Sequence, residues 1–262
     1  MSGKLTVIGL GPGNASQLTP EASEALQAAD VVYGYGPYLA RIPARAGQRR
    51  RASDNGEEID RATRALKDAA EGASVAVVSG GDPGVFAMAA AICEALERAP
   101  SAWRDLELSI VPGITSMLAV AARVGAPLGH DFCALSLSDN LKPWAIVERR
   151  LQAAASAGFA IALYNPISRA RPWQLQRALE ILRTHLPANT PVVFGRAVSR
   201  ADERILITTL EAADASAADM ATCIIVGSPE TRLLARPNGT ALVYTPRSAG
   251  AFKPVIEPGH ST

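Results

Sequence analysis

Leu5-Thr6-Val7-Ile8-Gly9-Leu10-Gly11-Pro12-Gly13 is a short apolar run that breaks into glycines, and Thr19-Pro20-Glu21 stands a few residues on. The run reads as a buried strand ended by a tight turn. Thr19 suits the cap of a helix that continues to Ala28, with Pro20 at its first position, where a missing N–H costs nothing. The same unit then recurs. Val31-Val32-Tyr33 is a strand, and a helix over 58–71 leads to a strand over 74–78. A helix over 85–98 leads to a strand over 106–111 and a helix from Thr115. Strands alternating with helices in this way imply a parallel sheet covered on both faces.

The second half changes character. Strands are expected over 132–137 and 159–164, with helices over 143–157 and 172–185. Four more strands follow over 191–195, 203–209, 222–227 and 241–244. Little helix separates several of these, so antiparallel pairing is expected. Gly, Pro and Gly cluster between Gly125 and His130, which places a domain junction there. The expected fold is therefore two α/β domains, 1–125 with a mostly parallel sheet and 126–246 with a mixed sheet, followed by an irregular tail over 247–262.

Composition narrows the class. The chain has 262 residues, 48% hydrophobic and 19% charged, which is enough to bury a core. Its 26 basic and 25 acidic residues leave a net charge of +1, against a generic nucleic-acid binder held by an overall positive field. No apolar stretch reaches the roughly 18 residues of a membrane span, and Met1-Ser2-Gly3-Lys4 does not open a signal peptide. A soluble cytoplasmic protein is expected. Cys93, Cys133 and Cys223 are too scattered for a local metal motif, and His130, His185 and His260 have no metal-pair spacing, so no metal site is expected.

Three glycine-rich turns each follow an expected strand: Gly9-Leu-Gly-Pro-Gly13, Ser79-Gly-Gly-Asp-Pro-Gly84 and Val111-Pro-Gly-Ile-Thr-Ser116. In an open parallel sheet such turns line one crevice beyond the strands' carboxyl ends. Any one of them alone is more often a plain tight connection. The first fails G-x-G-x-x-G because Asn14 takes the last position, and no P-loop motif exists. Asp82 would repel phosphate but can accept from hydroxyl or ammonium groups. A ligand with hydroxyls and an amino-acid moiety fits better than a nucleoside triphosphate.

Val7-Ile-Gly-Leu-Gly-Pro-Gly13, Ser79-Gly-Gly-Asp-Pro-Gly-Val-Phe86 and Val111-Pro-Gly-Ile-Thr-Ser116 resemble the signature turns of the tetrapyrrole methylases, in order and over nearly the whole chain. That resemblance implies two α/β domains with S-adenosylmethionine in the cleft between them, and a homodimer. It implies cofactor contacts at Pro12, Gly80, Gly81, Asp82, Val85, Thr115, Ser116 and Asn165, and at the turn Arg196, Ala197, Val198. Ser136-Leu-Ser-Asp139, Pro143-Trp144, Ala162-Leu-Tyr-Asn-Pro166, Ser168, Arg171 and Trp173-Gln-Leu175 are similar to the branch that methylates C17 and contracts the ring in cobalamin biosynthesis. Metal-free and cobalt-containing substrates both satisfy this resemblance, and a silent tetrapyrrole carrier is a third reading.

A polycarboxylate substrate calls for arginines, which pair carboxylates bidentately. Residues 31–53 contain no acid but hold Arg41, Arg45, Arg49, Arg50 and Arg51, while 142–200 hold nine Lys/Arg against Glu148 and Glu180. Substrate contacts are expected from Arg49, Arg50, Arg51, Ser136 and Arg171; solvated faces are the plain alternative. No RNA-binding motif accompanies these stretches. Tyr33, Tyr35, Tyr38, Trp144 and Trp173 read first as packing residues. Ring contraction needs proton transfer, for which Asp139 is expected as acid or base and Ser138 as a hydrogen-bond donor. The competing reading makes Asp139 a turn residue that helps to cap the helix beginning near Pro143.

Overall fold

A computed structural model describes residues 3–248. The first half forms β1 (Lys4–Gly9), α1 (Pro20–Ala28), β2 (Val31–Tyr35), α2 (Gly36–Leu39), β3 (Arg49–Ser53), α3 (Glu58–Ala70), β4 (Ser74–Ser79), α4 (Met88–Arg98), β5 (Glu107–Val111) and α5 (Ser116–Val124). Its five strands lie in the order β3-β2-β4-β1-β5 and all run parallel. Alternation along β1 serves both faces: Leu5 and Val7 pack with α3 and α4, whereas Ile8 packs with α1. Thr19 caps α1 as expected, its Oγ1 accepting from the Ala22 amide at 3.1 Å.

The second half forms β6 (Gly125–Ala126), β7 (Phe132–Ser136), α6 (Trp144–Ser156), β8 (Ala160–Tyr164), α7 (Gln174–Arg183), β9 (Pro191–Arg196), β10 (Arg204–Thr209), β11 (Thr222–Val226), β12 (Arg232–Ala235) and β13 (Ala241–Tyr244). The main sheet is mixed, in the order β10-β9-β11-β8-β7, with β7 and β8 parallel and β11 antiparallel to both neighbours. Helices α6 and α7 cover one face through Val147, Leu151, Leu175, Leu179 and Leu182. The other face is covered by α5, whose Val120 and Val124 pack with Val193, Cys223 and Ile225.

Three features differ from the sequence reading. Arg49–Ser53 is a strand although its residues show no apolar alternation, because it is the outer strand and its Arg49 and Arg51 side chains face solvent. Helix α5, which a junction near Gly125 leaves with the first half, packs on the second sheet. Gly195 permits this, since a Cβ there would lie 2.3 Å from Val120 Cγ2. The expected junction is itself β6, which pairs with β13 in a small third sheet with β12. Most of the tail over 247–262 lies outside the described residues. Among those residues, no helix is long and apolar enough to cross a membrane.

Candidate active site between two facing sheet edges

The carboxyl ends of β1, β4 and β5 deliver the three glycine loops to one edge of the first sheet. The first two are bound to each other by backbone. The Gly11 amide donates to the Gly81 carbonyl (3.1 Å) and the Gly81 amide to the Gly11 carbonyl (2.9 Å). A Cβ on Gly113 would lie 2.3 Å from the Gly81 oxygen, and one on Gly9 2.7 Å from the Gly113 nitrogen, so only glycine lets the loops stack. Asp82 ties two of them: its Oδ1 accepts from the Gly84 amide (2.8 Å) and its Oδ2 from the Gly113 amide (3.0 Å). A carboxylate has further lone pairs, so these bonds do not exhaust it.

The second sheet presents the matching edge. β7, β8 and β9 run the same way, so Ser136, Tyr164 with Asn165, and Arg196 end on one edge, with β11 between β8 and β9. This edge meets the glycine loops at three places. The Tyr164 hydroxyl lies 2.7 Å from Thr115 Oγ1 and accepts from the Met117 amide at 3.0 Å. The Phe86 ring sits 5.3 Å from that of Tyr164. Arg200 Nε donates to the Pro12 carbonyl at 3.2 Å. Burial pushes the Tyr164 phenol up to about 12, which keeps it a neutral hydrogen-bonding group.

Backbone strain gathers on the same face. Among the described residues, the non-glycine residues in the left-handed region are Phe86 (φ 53°), Asn165 (52°), Ala197 (47°) and Ser199 (68°). All belong to turns after β4, β8 or β9. Such conformations cost about 1–3 kcal/mol each and mark places where the surroundings dictate the backbone.

The polar cluster beyond β7 and β8 is continuous. Ser136 Oγ accepts from Asn165 Nδ2 (2.9 Å) and the Ser138 amide (3.3 Å), and Arg171 Nη1 donates to the Asn165 carbonyl (3.1 Å). Lys142 Nζ donates to the Ser138 carbonyl at 2.9 Å. Buried Gln174 aims Nε2 at both Asp139 oxygens, 3.1 Å from each. Helix α6 receives no side-chain cap, so the capping role considered for Asp139 is not used. Burial lowers the Lys142 ammonium, and Arg150 and Arg171 add like-charge repulsion that Asp139 partly offsets.

Several sequence-expected residues already have partners. Arg196 pairs with Asp219 (2.7 Å) and Asp202 (2.8 Å), and the Ala197 amide donates to the Ala221 carbonyl, which leaves Val198 buried beneath that turn. Pro12, Gly80, Gly81, Asp82, Val85, Thr115 and Ser116 lie on the glycine-loop edge and Asn165 on the opposite one. Arg50 is a fastener: its guanidinium donates to the carbonyls of Leu39, Ile42 and Pro43. Arg41 likewise donates to those of Leu10 and Gly11, which holds the first glycine loop from behind. Sequence reasoning singled out neither Tyr164, Gln174, Lys142 nor Arg200 as site residues. The first two lie inside the quoted Tyr-Asn-Pro and Trp-Gln-Leu motifs, but their partners are distant in sequence.

Residues 4–214 match the family model for tetrapyrrole (corrin/porphyrin) methylases. A protein of Sinorhizobium sp named precorrin-3B C(17)-methyltransferase is 64% identical over 94% of this chain and 97% of its own. The crystal structure of the methyltransferase CobJ superimposes with a TM-score of 0.89 at 51% identity, covering 94% of this chain and 100% of that one. A uroporphyrin-III C-methyltransferase of Thermus thermophilus, solved with S-adenosylhomocysteine, shares the fold with a TM-score of 0.65 at 24% identity, over 86% of this chain and 97% of its own. Stacked glycine loops, an opposing polar edge and these matches lead to one conclusion: the chain belongs to the tetrapyrrole (corrin/porphyrin) methylases.

Proposed function

We propose that this chain transfers the methyl group of S-adenosylmethionine to C17 of precorrin-3B and contracts the ring to give precorrin-4, a step of cobalamin biosynthesis. The facing of the two sheet edges carries this reading, in a chain whose near-full-length relative is named for that reaction. The residues fit the methyl donor. A stack of glycine backbone offers carbonyls and amides with no side chains in the way, and Asp82 and Thr115 add acceptors at its rim. When bound, S-adenosylmethionine supplies a methyl group already activated by its sulfonium.

What the protein must add is alignment and exclusion of water, worth roughly 7–11 kcal/mol of barrier for well-placed reactants. Pro12, Gly80, Gly81, Asp82, Val85, Thr115 and Ser116 would hold the donor from the first sheet. Asn165 and the backbone of Arg196, Ala197 and Val198 would hold it from the second. Asp139, positioned by Gln174, would move the protons of ring contraction, and Ser138 would donate to a macrocycle oxygen. Ser136 and Arg171 would receive the acidic rim; Arg49 and Arg51, exposed on the outer strand β3, would act on it only through their field, since Arg49 opens that strand at the end opposite the glycine loops. The same reading has the chain working as a homodimer, which analytical ultracentrifugation checks.

The deciding experiment incubates the enzyme with labelled methyl donor and either precorrin-3B or cobalt-factor III. Transfer to precorrin-3B with a contracted product is expected. Transfer to the cobalt macrocycle alone would reassign the substrate, and no transfer together with no binding of S-adenosylhomocysteine would mark a silent carrier.

A further inference from the structure

Between the Phe86 tip of the second glycine loop and the corner of β7 and α6 lies a cavity of about 40 Å³, lined by Phe86, Ala134, Leu135, Ser136, Lys142, Val147 and Arg150. A water needs about 10–15 Å³ of such volume, so the space suits a group of a few heavy atoms. Its polar lining is one-sided. Lys142 and Arg150 are cations, no acid among the described residues lines the space, and buried Arg171 is close enough to oppose the charge on Lys142. Of the acids nearby, Glu148 pairs with Arg177 at 2.9 Å, and Asp139, held by the neutral amide of Gln174, offsets part of the charge around Lys142.

Ser136 sharpens the chemistry. A hydroxyl has one proton and two lone pairs, and two N–H groups already point at its oxygen, from Asn165 and from Ser138. What remains to it is donation. Lys142 directs one of its three N–H groups at the Ser138 carbonyl, which leaves two. Two cations beside an obligate donor, with Asp139 offsetting only part of the charge around half-buried Lys142, favour an anion in the space.

We propose that this cavity seats a carboxylate, taken by the Ser136 hydroxyl and by Lys142 and Arg150. Two sources share that chemistry: an acidic arm of the macrocycle and the amino-acid carboxylate of the methyl donor. The assignment to a macrocycle arm rests on the function proposed above. It is favoured because the lining includes Phe86, at the tip of the loop, and none of the stacked glycines.

The test uses the full chain as Ser136→Ala, Lys142→Gln, Lys142→Arg and Arg150→Gln, each checked for native melting. Precorrin-3B KM, binding of uroporphyrin followed by fluorescence, and S-adenosylhomocysteine binding followed by calorimetry are compared. Lys142→Gln should weaken both macrocycle readouts about tenfold and flatten their salt dependence, as loss of a charge-assisted contact does. Lys142→Arg should restore most of the loss, and S-adenosylhomocysteine affinity should stay within about twofold of wild type. Loss confined to S-adenosylhomocysteine would support the pocket with the other source. If wild type fails to methylate precorrin-3B but binds uroporphyrin in a Lys142-dependent way, the functional reading falls and the pocket stands. Variants indistinguishable from wild type in every readout, or a wild type that binds neither probe, overturn the proposal.

Discussion

The Tyr164 hydroxyl lies 2.7 Å from Thr115 Oγ1, and through that contact β8 of the second sheet is bonded to the residue at which the third glycine loop becomes α5. The same hydroxyl accepts from the Met117 amide. A half-buried phenol thus bridges the two edges at the point where the methyl donor is proposed to lie. Tyr164→Phe keeps the ring against Phe86 and removes the latch. It should cost about 1–3 kcal/mol of unfolding free energy, because the amide and Thr115 lose a buried partner. S-adenosylhomocysteine affinity should fall with it. Denaturant titration and calorimetry read the two effects separately.

Asp82 joins the second and third glycine loops, so its loss should be felt as loss of preorganisation. Asp82→Ala leaves the Gly84 and Gly113 amides without their acceptor and should weaken S-adenosylhomocysteine binding by about 1–3 kcal/mol. Unchanged affinity in a folded variant would show that the carboxylate neither shapes the loops nor touches the donor.

Asp139 and Gln174 should separate by what they disturb. Asp139→Asn should leave cofactor binding intact and slow turnover at least tenfold, within the roughly 10²–10⁴-fold that general acid–base catalysis supplies. A methylated but uncontracted ring, seen by mass and NMR, is the expected trapped species. Gln174→Leu removes the amide that orients the carboxylate, so it should reduce kcat and shift the pH–rate profile while KM changes little. Contracted product at the normal rate from Asp139→Asn would move the acid–base role to another group.

Arg50 tests whether the arginine run acts by charge or by structure. Its guanidinium donates to the carbonyls of Leu39, Ile42 and Pro43, so Arg50→Ala should lower stability by about 1–3 kcal/mol with macrocycle KM unchanged. Arg49→Gln with Arg51→Gln should instead weaken the salt dependence of KM and leave the melting temperature near that of wild type.

The turn after β9 is braced by Arg123, whose Nε donates to Glu203 Oε1 at 2.7 Å, while the Ser199 amide donates to the other oxygen of Glu203. Hydrogen bonding from Arg123 holds the Glu203 carboxyl below its ordinary value. A folded value below the unfolded one means that this contribution is complete above the unfolded pKa. It is lost as pH falls through the folded one. The pair is partly exposed, so about 0.2–1 kcal/mol is expected. Wild type should therefore lose more stability than Glu203→Gln on moving from neutral pH to below about pH 4, as measured by urea titration at each pH.

How much was legible follows from the range of each signal. Strands β1, β2, β4, β8, β9 and β11 were readable because a buried strand needs only its own apolar run and a breaker, and the more exposed β5, β7, β10 and β13 because each still carries a short apolar run. The glycine loops were readable because tight turns and close backbone contacts admit few other residues. Strand β3 was not, since an outer strand of arginines owes its conformation to pairing with β2. Helix α5 has an apolar pattern that says it is buried, but not against which sheet; Gly195, far along the chain, decides that.

The sequence by itself determined the two α/β halves, the family and the three glycine loops, because these depend on residues within a turn or a strand of one another. Tertiary structure alone decided that Asp139 is held by Gln174, that Asp82 binds Gly113, and that Tyr164 latches onto Thr115. It also decided that Arg50 and Arg41 hold backbone carbonyls while Lys142 and Arg150 line a cavity without an acid. The physical reason is that a polar side chain's role is set by which partner reaches it first. That partner arrives from another strand or helix, at a distance in sequence that no local pattern records.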